Sequence, residues 1–398
     1  MVKLSGRLSG LEESATLAIA AKAKALRAEG RDIISFGAGE PDFDTPENIK
    51  EAAIKAIRDG HTKYTPVGGI NELKDAVIGK FNRDNNLSYT REEVVVSCGG
   101  KHSIYNLFQS ILDPGDEVVI PAPFWVSYPA IVRLAGGVPV EFRTAEAEGF
   151  KMSAESFREL ITPKTRAVII NSPSNPTGTA YTASELCAIA EVALEKGVLI
   201  VSDEIYEKIV YDGFKAGSIA SVSEEARKNT VVLNGVSKTY SMTGWRIGYA
   251  AGPAPIIKAM TSIQSQSTSN PASISQWAAV EAINGPQDEL SAMVEQFCKR
   301  RDAMVAGLNS VDGISCFKPQ GAFYVFANIG KALGKRRGGR TIEGSVDMAN
   351  LLLEEAGVAV VPGEPFGDDS HIRLSYVVSM DHVLEGVKRI DEVFSGLE

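Results

Sequence analysis

Short runs of apolar residues alternate with helix-like patterns along much of this 398-residue chain, and this alternation constrains the possible fold most strongly. The apolar runs, bounded by Gly, Pro or Asp, predict buried strands at Val94–Ser97, Glu117–Ile120, Ala167–Asn171, Val198–Ser202, Val231–Leu233 and Ile247–Ala251. Apolar residues spaced three and four apart predict helices at Asn48–Arg58, after Gly99, and at Ser184–Lys196. This alternation predicts an α/β fold in which helices cover both faces of a largely parallel sheet. In such a fold, ligands bind at the carboxyl ends of the strands.

The C-terminal part of the chain has a different pattern. A long helical stretch from Gln287 to Ser310 is followed by strand-like segments at Phe323–Ala327, Val358–Val361 and His371–Ser375, which predicts a smaller α+β domain. Pro271 and Pro286 are the candidates for the boundary. We expect a large domain of residues 46–285 and a small domain of residues 1–45 and 286–398. The basic, Gly-rich stretch from Lys331 to Arg340 is expected to be a mobile surface loop.

Composition excludes several classes of function. The formal net charge of −9 and pI of about 5.3 disfavour binding to nucleic acid or to an anionic membrane. Met1 to Gly10 lack the apolar core of a signal peptide, and no apolar run approaches the ~20 residues of a membrane span. The four cysteines form no Cys-x-x-Cys pair and have no His cluster nearby, so we expect no metal site and a cytoplasmic location.

One lysine stands among hydroxyls and glycines in the segment Gly235–Tyr249, directly after a predicted strand. A buried amine is costly, but burial and a Schiff base with a carbonyl compound would remove the charge of Lys238 and make it useful in catalysis. Arg246, eight residues later, offers a forked cation that suits a phosphate. Taken alone, the two cations are equally compatible with surface charges on a turn.

Three further polar segments follow predicted strands and therefore belong at the same edge of the sheet. Ser172–Gly178 contains two prolines and a glycine, and its Asn175–Pro176 bond is a candidate for a cis peptide. Asp203, in Ser202–Tyr206, is costly at a buried strand end without a cationic partner, although it could also cap the next segment. The turn Ser97–Lys101 joins a strand to a helix, where glycines let backbone N–H groups approach an anion.

In this order and spacing, these segments, with Met242–Tyr249 and His371–Tyr376, resemble the fold-type I pyridoxal-phosphate enzymes. Within them the chain resembles the class I aminotransferases of the aspartate aminotransferase family, bacterial subgroup I-beta, over nearly its whole length. The resemblance implies the fold of a PLP-transferase: a large domain with a mostly parallel seven-stranded sheet and a smaller α+β domain. It also implies pyridoxal 5'-phosphate as cofactor and a homodimer with shared active sites.

The resemblance also implies roles around the cofactor ring. Lys238 would bind the cofactor as a Schiff base and then carry a proton between the substrate α-carbon and the cofactor. Asp203 would face the pyridine nitrogen and keep it protonated. Tyr206 and Asn175 would bind the 3-oxygen of the ring, which lowers the pKa of the imine. Trp125 would stack on the face of the ring, although without the resemblance it would read as a core aromatic residue.

The phosphate group would be held by the turn before the first helix of the site and by the segment around the lysine: Gly99, Gly100, Lys101, Ser237 and Arg246. Tyr64 is similar to the family tyrosine that reaches the phosphate bound by the neighbouring subunit. Gly235 departs from the pattern, because some relatives have a serine three residues before the lysine. Ser237 and backbone donors would then supply more of the phosphate contacts.

Substrate recognition is implied by a second group of residues. Arg373 would bind the α-carboxylate with help from Asn175 and from the backbone of Gly39, whereas outside this context it would read as a surface ion pair. A dicarboxylic side chain would be held by three residues: Lys101, Ser14 and Thr16. These favour aspartate and glutamate as donors, with oxaloacetate and 2-oxoglutarate as acceptors, and leave prephenate possible. Ser14 could also serve simply as the N-cap of a helix from Ala15 to Glu29, which would close over the bound substrate.

Several alternatives stay open from the sequence. An aminotransferase for aromatic or alanine-type substrates and a PLP-dependent lyase or decarboxylase would use the same cofactor. A non-catalytic regulator is disfavoured, because the chain is acidic and the resemblance begins within its first residues. A nucleotide-dependent dehydrogenase is disfavoured by the lack of a Gly-x-Gly-x-x-Gly turn after an early strand.

Overall fold

The computed structural model describes residue 2, residues 5–6 and residues 15–398; in the first helix, the side chains of residues 15–17 and 20 are not described. The helices are α1 (Ala15–Ala28), α2 (Glu47–Arg58), α3 (Asn71–Asn85), α4 (Gly100–Ile111), α5 (Ser127–Leu134), α6 (Ala154–Leu160), α7 (Ala183–Lys196), α8 (Glu224–Lys228), α9 (Ala254–Ser265), α10 (Ser273–Asn284), α11 (Asp288–Ser310), α12 (Ser345–Glu355) and α13 (Met380–Phe394). The strands are β1 (Ile34–Ser35), β2 (Val94–Ser97), β3 (Glu117–Ala122), β4 (Val138–Arg143), β5 (Thr165–Asn171), β6 (Leu199–Asp203), β7 (Thr230–Gly235), β8 (Gly248–Ala251), β9 (Ser315–Cys316), β10 (Tyr324–Asn328), β11 (Arg336–Arg337), β12 (Arg340–Thr341), β13 (Val358–Ala359), β14 (Val361–Pro362) and β15 (His371–Ser375).

A seven-stranded sheet forms the larger part of the structure, in the order β2-β8-β7-β6-β5-β3-β4. All neighbouring strands are parallel except β8, which runs antiparallel to β2 and β7. The predicted mostly parallel seven-stranded sheet is therefore confirmed. The edge strand β4 was not predicted, because its residues alternate in polarity and are partly exposed.

Both faces of this sheet are covered, as its continuous apolar strands predict. Along β5, Ala167 and Ile169 pack into one cluster with α4, α5 and α9, whereas Val168 and Ile170 pack into another with α6 and α7. At the edge of the sheet formed by β2, the helices α2, α3 and α10 extend the layer that contains α6 and α7. The alternation of side chains along each strand thus divides the apolar residues between two helical layers.

A four-stranded antiparallel sheet, in the order β14-β15-β10-β9, lies in the C-terminal part of the chain and packs against α11, α12 and α13. The predicted strand at Val358–Val361 is in fact two short strands, since β13 pairs with β1 and β14 pairs with β15. The predicted loop at Lys331–Arg340 overlaps the short hairpin β11–β12, which ends at Thr341, and Gly338 and Gly339 at its turn both have positive φ. Within residues 2, 5–6 and 15–398, no helix combines the length and apolarity needed to cross a membrane.

Candidate active site

A cavity of about 320 Å³ lies at the carboxyl ends of the parallel strands. Asn171 and Asp203 are paired neighbours where β5 and β6 end, and both line the cavity. The structure brings most of the predicted site residues to its wall: Gly39, Gly100, Lys101, Trp125, Asn175, Asp203, Tyr206, Ser237, Lys238, Arg246 and Arg373. Residues from across the sequence therefore converge at the edge of the sheet where this architecture binds ligands.

Lys238 follows β7 and lines the cavity. Its Nζ donates a hydrogen bond to the carbonyl oxygen of Gly39. The pKa of Lys238 is lowered to about 8, mainly by burial; the cations of Arg373 and Arg246 also lower it, while Glu40 and Asp203 act to raise it. About a tenth of this amine is therefore neutral near pH 7, far more than of an ordinary lysine, and the neutral form is the one that a nucleophile or general base requires.

Asp203 is held by two hydrogen bonds at the end of β6. The hydroxyl of Tyr128, on α5, donates to Oδ2 at 2.6 Å, and the backbone N–H of Ile205 donates to Oδ1 at 3.2 Å. Burial raises the pKa of Asp203, whereas the Tyr128 hydrogen bond and the charge of Lys238 act to lower it. The carboxylate is thus fixed in position and faces a cavity that also contains the amine.

Arg373 lies on β15 and is only 2 % exposed. Its Nη1 donates to Oδ1 of Asn175 at 3.0 Å, and its Nη2 donates to the carbonyl oxygen of Gly37 at 3.1 Å. The Nε atom has no hydrogen-bond partner among the described residues. Since Arg373 also lines the cavity, its guanidinium can bind an anionic ligand there.

The turn between β2 and α4 has the geometry of an anion-binding cup. Gly99 precedes α4 with φ of 90°, and a Cβ there would collide with the Arg246 guanidinium. A Cβ on Gly248 would collide with the backbone N of Gly100. Arg246 itself adopts a left-handed conformation with φ of 54°, and its Nη1 donates to the Thr243 carbonyl oxygen at 2.8 Å. The N–H groups of the first turn of α4 and this arginine therefore meet at one place.

The glycine at position 235, where some relatives have a serine, has a steric explanation. A Cβ at this position would lie 3.1 Å from the Cα of Gly248 and 3.3 Å from Cδ1 of Ile205. The strands β7 and β8 therefore approach each other too closely here for a side chain without adjustment.

Lys101 and Trp125 stand together on the cavity wall. The Lys101 Nζ lies 5.0 Å from the centroid of the Trp125 ring, and the ring packs edge-on against Tyr128 at 5.3 Å. Burial and the charge of Arg246 lower the pKa of Lys101. Lys101 and Arg373 are thus two cations on the wall of one cavity, which suits a ligand with two carboxylates.

Some predicted residues are not on the cavity wall. Tyr64 is 93 % exposed on the protein surface. Ser14 lies outside the described residues, and Thr16 lies on α1 but its side chain is not described. The Asn175–Pro176 peptide bond is cis, as the sequence suggested.

Two tyrosines on the cavity wall were missed from the sequence. Tyr128 lies three residues after Trp125, at the start of α5, so its closeness to a predicted site residue was a usable signal. Tyr324 lies in an apolar strand and reads as a core residue, although its hydroxyl is 2.9 Å from that of Tyr206. Its place on the cavity wall became visible only from the packing of distant segments in the tertiary structure.

Comparison with known proteins identifies the family. The family "Aminotransferase class I and II" matches residues 31–390. The chain belongs to this family of aminotransferases. The cofactor expected from the sequence, pyridoxal 5'-phosphate, is that of the family, and the chain is a PLP-dependent aminotransferase.

Individual relatives match this aminotransferase over nearly its full length. An aspartate aminotransferase of Geobacillus stearothermophilus is 55% identical over 389 residues, covering 98% of each chain. A probable aspartate/prephenate aminotransferase of Rickettsia bellii is 52% identical over 396 residues, covering 99% of each chain. The structure of the Thermus thermophilus aspartate aminotransferase with maleate has a TM-score of 0.93 and 46% identity, covering 99% of this chain and 100% of that one. The predicted fold is therefore confirmed.

The residues of the cavity fit the cofactor of the family. Pyridoxal 5'-phosphate needs an amine for its aldehyde, donors for its phosphate and a carboxylate for its ring nitrogen. The cavity offers Lys238, the Gly99–Gly100 turn with Arg246, and the buried Asp203. The steric fit of Gly99 against Arg246 shows that backbone and guanidinium donors are already close together.

Proposed function

We propose that this aminotransferase moves the amino group between L-aspartate or L-glutamate and the 2-oxo acids 2-oxoglutarate and oxaloacetate, with Lys238 as the residue that binds the cofactor. One observation carries the proposal: two cations, Lys101 and Arg373, line the cavity that holds the Lys238 amine. The two carboxylates of an aspartate or a glutamate would each meet one cation. The names of the Geobacillus and Thermus relatives agree with this choice of substrate.

The residues around the amine would divide the chemistry among them. When bound, pyridoxal 5'-phosphate supplies an aldehyde and a conjugated ring that accepts electron density from the substrate α-carbon. Lys238 would take the proton from that carbon, because its lowered pKa makes the neutral amine far more abundant than in an ordinary lysine. Asp203 would hold a proton at the ring nitrogen, and Tyr206 and Asn175 would donate to the 3-oxygen of the ring.

The phosphate contacts would come from the cup before α4. The first N–H groups of that helix, at Gly100 and Lys101, have no partner within the helix and point towards its N-terminal end. Arg246 and Ser237 would add side-chain donors. Trp125 would cover one face of the ring and so help to exclude water from the reacting atoms.

Other substrates of the same cofactor are less favoured. Aromatic or alanine-type amino acids carry no second carboxylate, so they offer no ionic partner to Lys101 on the cavity wall. A lyase would use the same amine, but the relatives are named as aminotransferases. Prephenate is a dicarboxylate, and the name of the Rickettsia relative makes it a second candidate substrate.

The test compares substrates in wild-type protein and in Lys101→Met, which keeps the side-chain stem but removes the charge. We expect kcat/KM for aspartate to fall about ten- to a hundredfold, because one charge-assisted contact is lost, while alanine changes less than about threefold. Lys151→Met is the control, since Lys151 also lies near an aromatic ring, Tyr181, but outside the cavity. Equal losses for both substrates would remove the reason for naming dicarboxylates. Borohydride reduction of loaded protein followed by mass spectrometry must place the cofactor on Lys238.

The assembly and the location are also part of the proposal. A homodimer would bring Tyr64 of one subunit to the phosphate site of the other and would explain its 93 % exposure in the single chain. The four cysteines are all free, which suits a reducing cytoplasm. The division into a large domain of residues 46–285 and a small domain of residues 1–45 and 286–398 would let the small domain close over substrate.

A further inference from the structure

We propose that Tyr324 is a positioning residue that aligns the hydroxyl of Tyr206 with the guanidinium of Arg373, so that the cofactor contact and the substrate contact are held by one side chain. The inference rests on the proposed function, in which Tyr206 binds the 3-oxygen of the cofactor and Arg373 binds the α-carboxylate. It assigns a separate task to each end of Tyr324.

The contacts of Tyr324 reach both residues. Tyr324 lines the cavity and is 1 % exposed. Its hydroxyl oxygen lies 2.9 Å from the hydroxyl oxygen of Tyr206, and its ring centroid lies 4.5 Å from Cζ of Arg373. One buried side chain therefore makes a hydrogen bond to the first residue and a cation–π contact with the second.

The side chain of Tyr324 contacts residues that belong to two different sheets. Tyr206 follows β6 of the seven-stranded sheet, whereas Tyr324 and Arg373 lie on β10 and β15 of the four-stranded sheet. Arg373 is paired with Phe326, two residues from Tyr324, so the two side chains are diagonal neighbours on one face. Tyr324 thus links Tyr206, which follows a strand of the seven-stranded sheet, to Arg373 on the four-stranded sheet.

The hydroxyl end acts through the single proton of a phenol. Burial raises the pKa of both Tyr206 and Tyr324, so both hydroxyls are neutral and each has one proton to donate. When Tyr324 donates to Tyr206, the proton of Tyr206 is free for the 3-oxygen that it is proposed to bind. Without the Tyr324 hydroxyl, Tyr206 loses this donor, and its own proton is no longer oriented towards the 3-oxygen of the cofactor.

The ring end acts on the guanidinium. Arg373 contacts two aromatic rings, since its Cζ lies 5.1 Å from the ring centroid of Phe366 and 4.5 Å from that of Tyr324. Together with the hydrogen bonds to Asn175 and to the Gly37 carbonyl, the rings fix the plane of the guanidinium. A fixed plane favours the two-point binding of a carboxylate, since less motion is lost when the ligand binds.

Two variants separate the two ends. Tyr324→Phe removes the hydroxyl and keeps the ring, whereas Tyr324→Leu removes both. The first measurement is the pH midpoint at which the linkage between Lys238 and the cofactor titrates in loaded protein, followed by absorbance. The second is the dissociation constant of maleate, a four-carbon dicarboxylate. Val325→Ala, on the opposite face of β10, controls for lost packing.

We expect Tyr324→Phe to raise the titration midpoint by about one pH unit, because a hydrogen bond that favours the unprotonated linkage is weakened. Maleate binding should change less than about twofold in this variant. Tyr324→Leu should raise the midpoint and also weaken maleate about tenfold, because the cation–π contact is lost. Adding Tyr324→Phe to Tyr206→Phe should shift the midpoint no further than Tyr206→Phe alone.

The outcomes distinguish this inference from the proposed function. If Tyr206→Phe shifts the midpoint but Tyr324→Phe does not, the positioning role of the hydroxyl is wrong and the proposed function stands. If Tyr206→Phe causes no shift, the proposed role of Tyr206 fails and this inference fails with it. Weakened maleate binding in Tyr324→Phe, or in Val325→Ala to the same degree as in Tyr324→Leu, would contradict the role of the ring. Tyr324→Phe preserves the volume of the side chain, so the hydroxyl test holds even if Tyr324→Leu does not fold.

Discussion

At the scale of single residues, Lys238 shows the energetic cost of a functional group in a buried position. Its amine loses hydration, and the neighbouring cations Arg373 and Arg246 add to the cost of keeping it charged. The Gly39 carbonyl and two carboxylates compensate only in part, so the pKa falls to about 8. Burial of the amine therefore has two effects: it lowers the pKa, which favours reactivity, and it destabilises the folded protein.

Replacing this lysine with an uncharged residue should therefore stabilise the cofactor-free protein. The folded protein releases the Lys238 proton near pH 8, whereas the unfolded chain holds it until about pH 10.5, so the unfolded chain binds more protons between these values. The penalty is fully present below pH 8 and disappears as the pH rises through this window. Lys238→Met should raise the free energy of unfolding by about 3 kcal/mol at pH 7 and by nothing above pH 10.5, measured by urea unfolding. A gain that does not vary with pH would contradict this account, and Lys151→Met is the control.

Tyr128 should support cofactor binding through Asp203. Tyr128→Phe removes the 2.6 Å hydrogen bond to Oδ2, and the pKa of Asp203 should rise because that bond acts to lower it. A less readily ionised Asp203 should weaken cofactor binding about tenfold, measured by titration of the cofactor into cofactor-free protein. Tyr181→Phe is the control, since Tyr181 is also buried but its hydroxyl accepts from the Met152 N–H outside the cavity. Equal weakening in both variants would indicate a general packing effect.

At the scale of elements, strand ends and helix starts place the site residues. The helix α7 connects β5 to β6, the parallel strands whose ends place Asn171 beside Asp203. Its start is fixed by a capping box, in which the Thr182 hydroxyl accepts from the Glu185 N–H and the Glu185 carboxylate accepts from the Thr182 N–H. Its end is fixed by Gly197, which has φ of 67°.

The cap of α7 should contribute to global stability without direct influence on the chemistry. Thr182→Ala should lower the free energy of unfolding by about 1 kcal/mol, because the first-turn N–H groups lose their side-chain acceptor. Thr182→Ser keeps that acceptor and should lie within about 0.5 kcal/mol of wild type. Urea unfolding measures both, and a similar loss in the serine variant would show that the threonine methyl group, rather than the cap, is responsible.

At the scale of the whole molecule, the proposed dimer explains a residue that the single chain leaves without a role. Tyr64 projects from the surface with 93 % of its area exposed, although the sequence places it at a phosphate. Ile54 and Ile57, on α2, are exposed as well. Exposed apolar side chains are typical of a surface that a second copy covers.

Mixing two inactive variants tests the shared site. Lys238→Ala and Tyr64→Ala should each lose most of their activity, but a mixed dimer contains one site with both an intact lysine and an intact tyrosine. Refolded equal mixtures should therefore recover about a quarter of the wild-type activity, since half of the dimers are mixed and each has one intact site of two. No recovery, while sedimentation shows that mixed dimers form, would place Tyr64 outside the partner's site.

Much of the fold and of the site could be predicted, because local patterns and short motifs carry them. The strand Val94–Ser97 and the strand His371–Ser375 have the predicted bounds, since buried strands leave continuous apolar runs between breakers. The residues Lys238, Asp203 and Arg373 were predicted from motifs and lie in one cavity. Their roles stay predictions until the variants are measured.

What the sequence by itself determined is the class of fold, the family and the polar residues at the strand ends, because these depend on local periodicity and on motifs of adjacent residues. The edge strand β4, the split of β13 from β14, and the meeting of Tyr324 with Tyr206 and Arg373 were decided only by the tertiary structure. The physical reason is that pairing and packing between separate segments of the chain leave no periodic signal in either segment. An apolar strand that ends beside an active site has the same sequence pattern as one buried in the core.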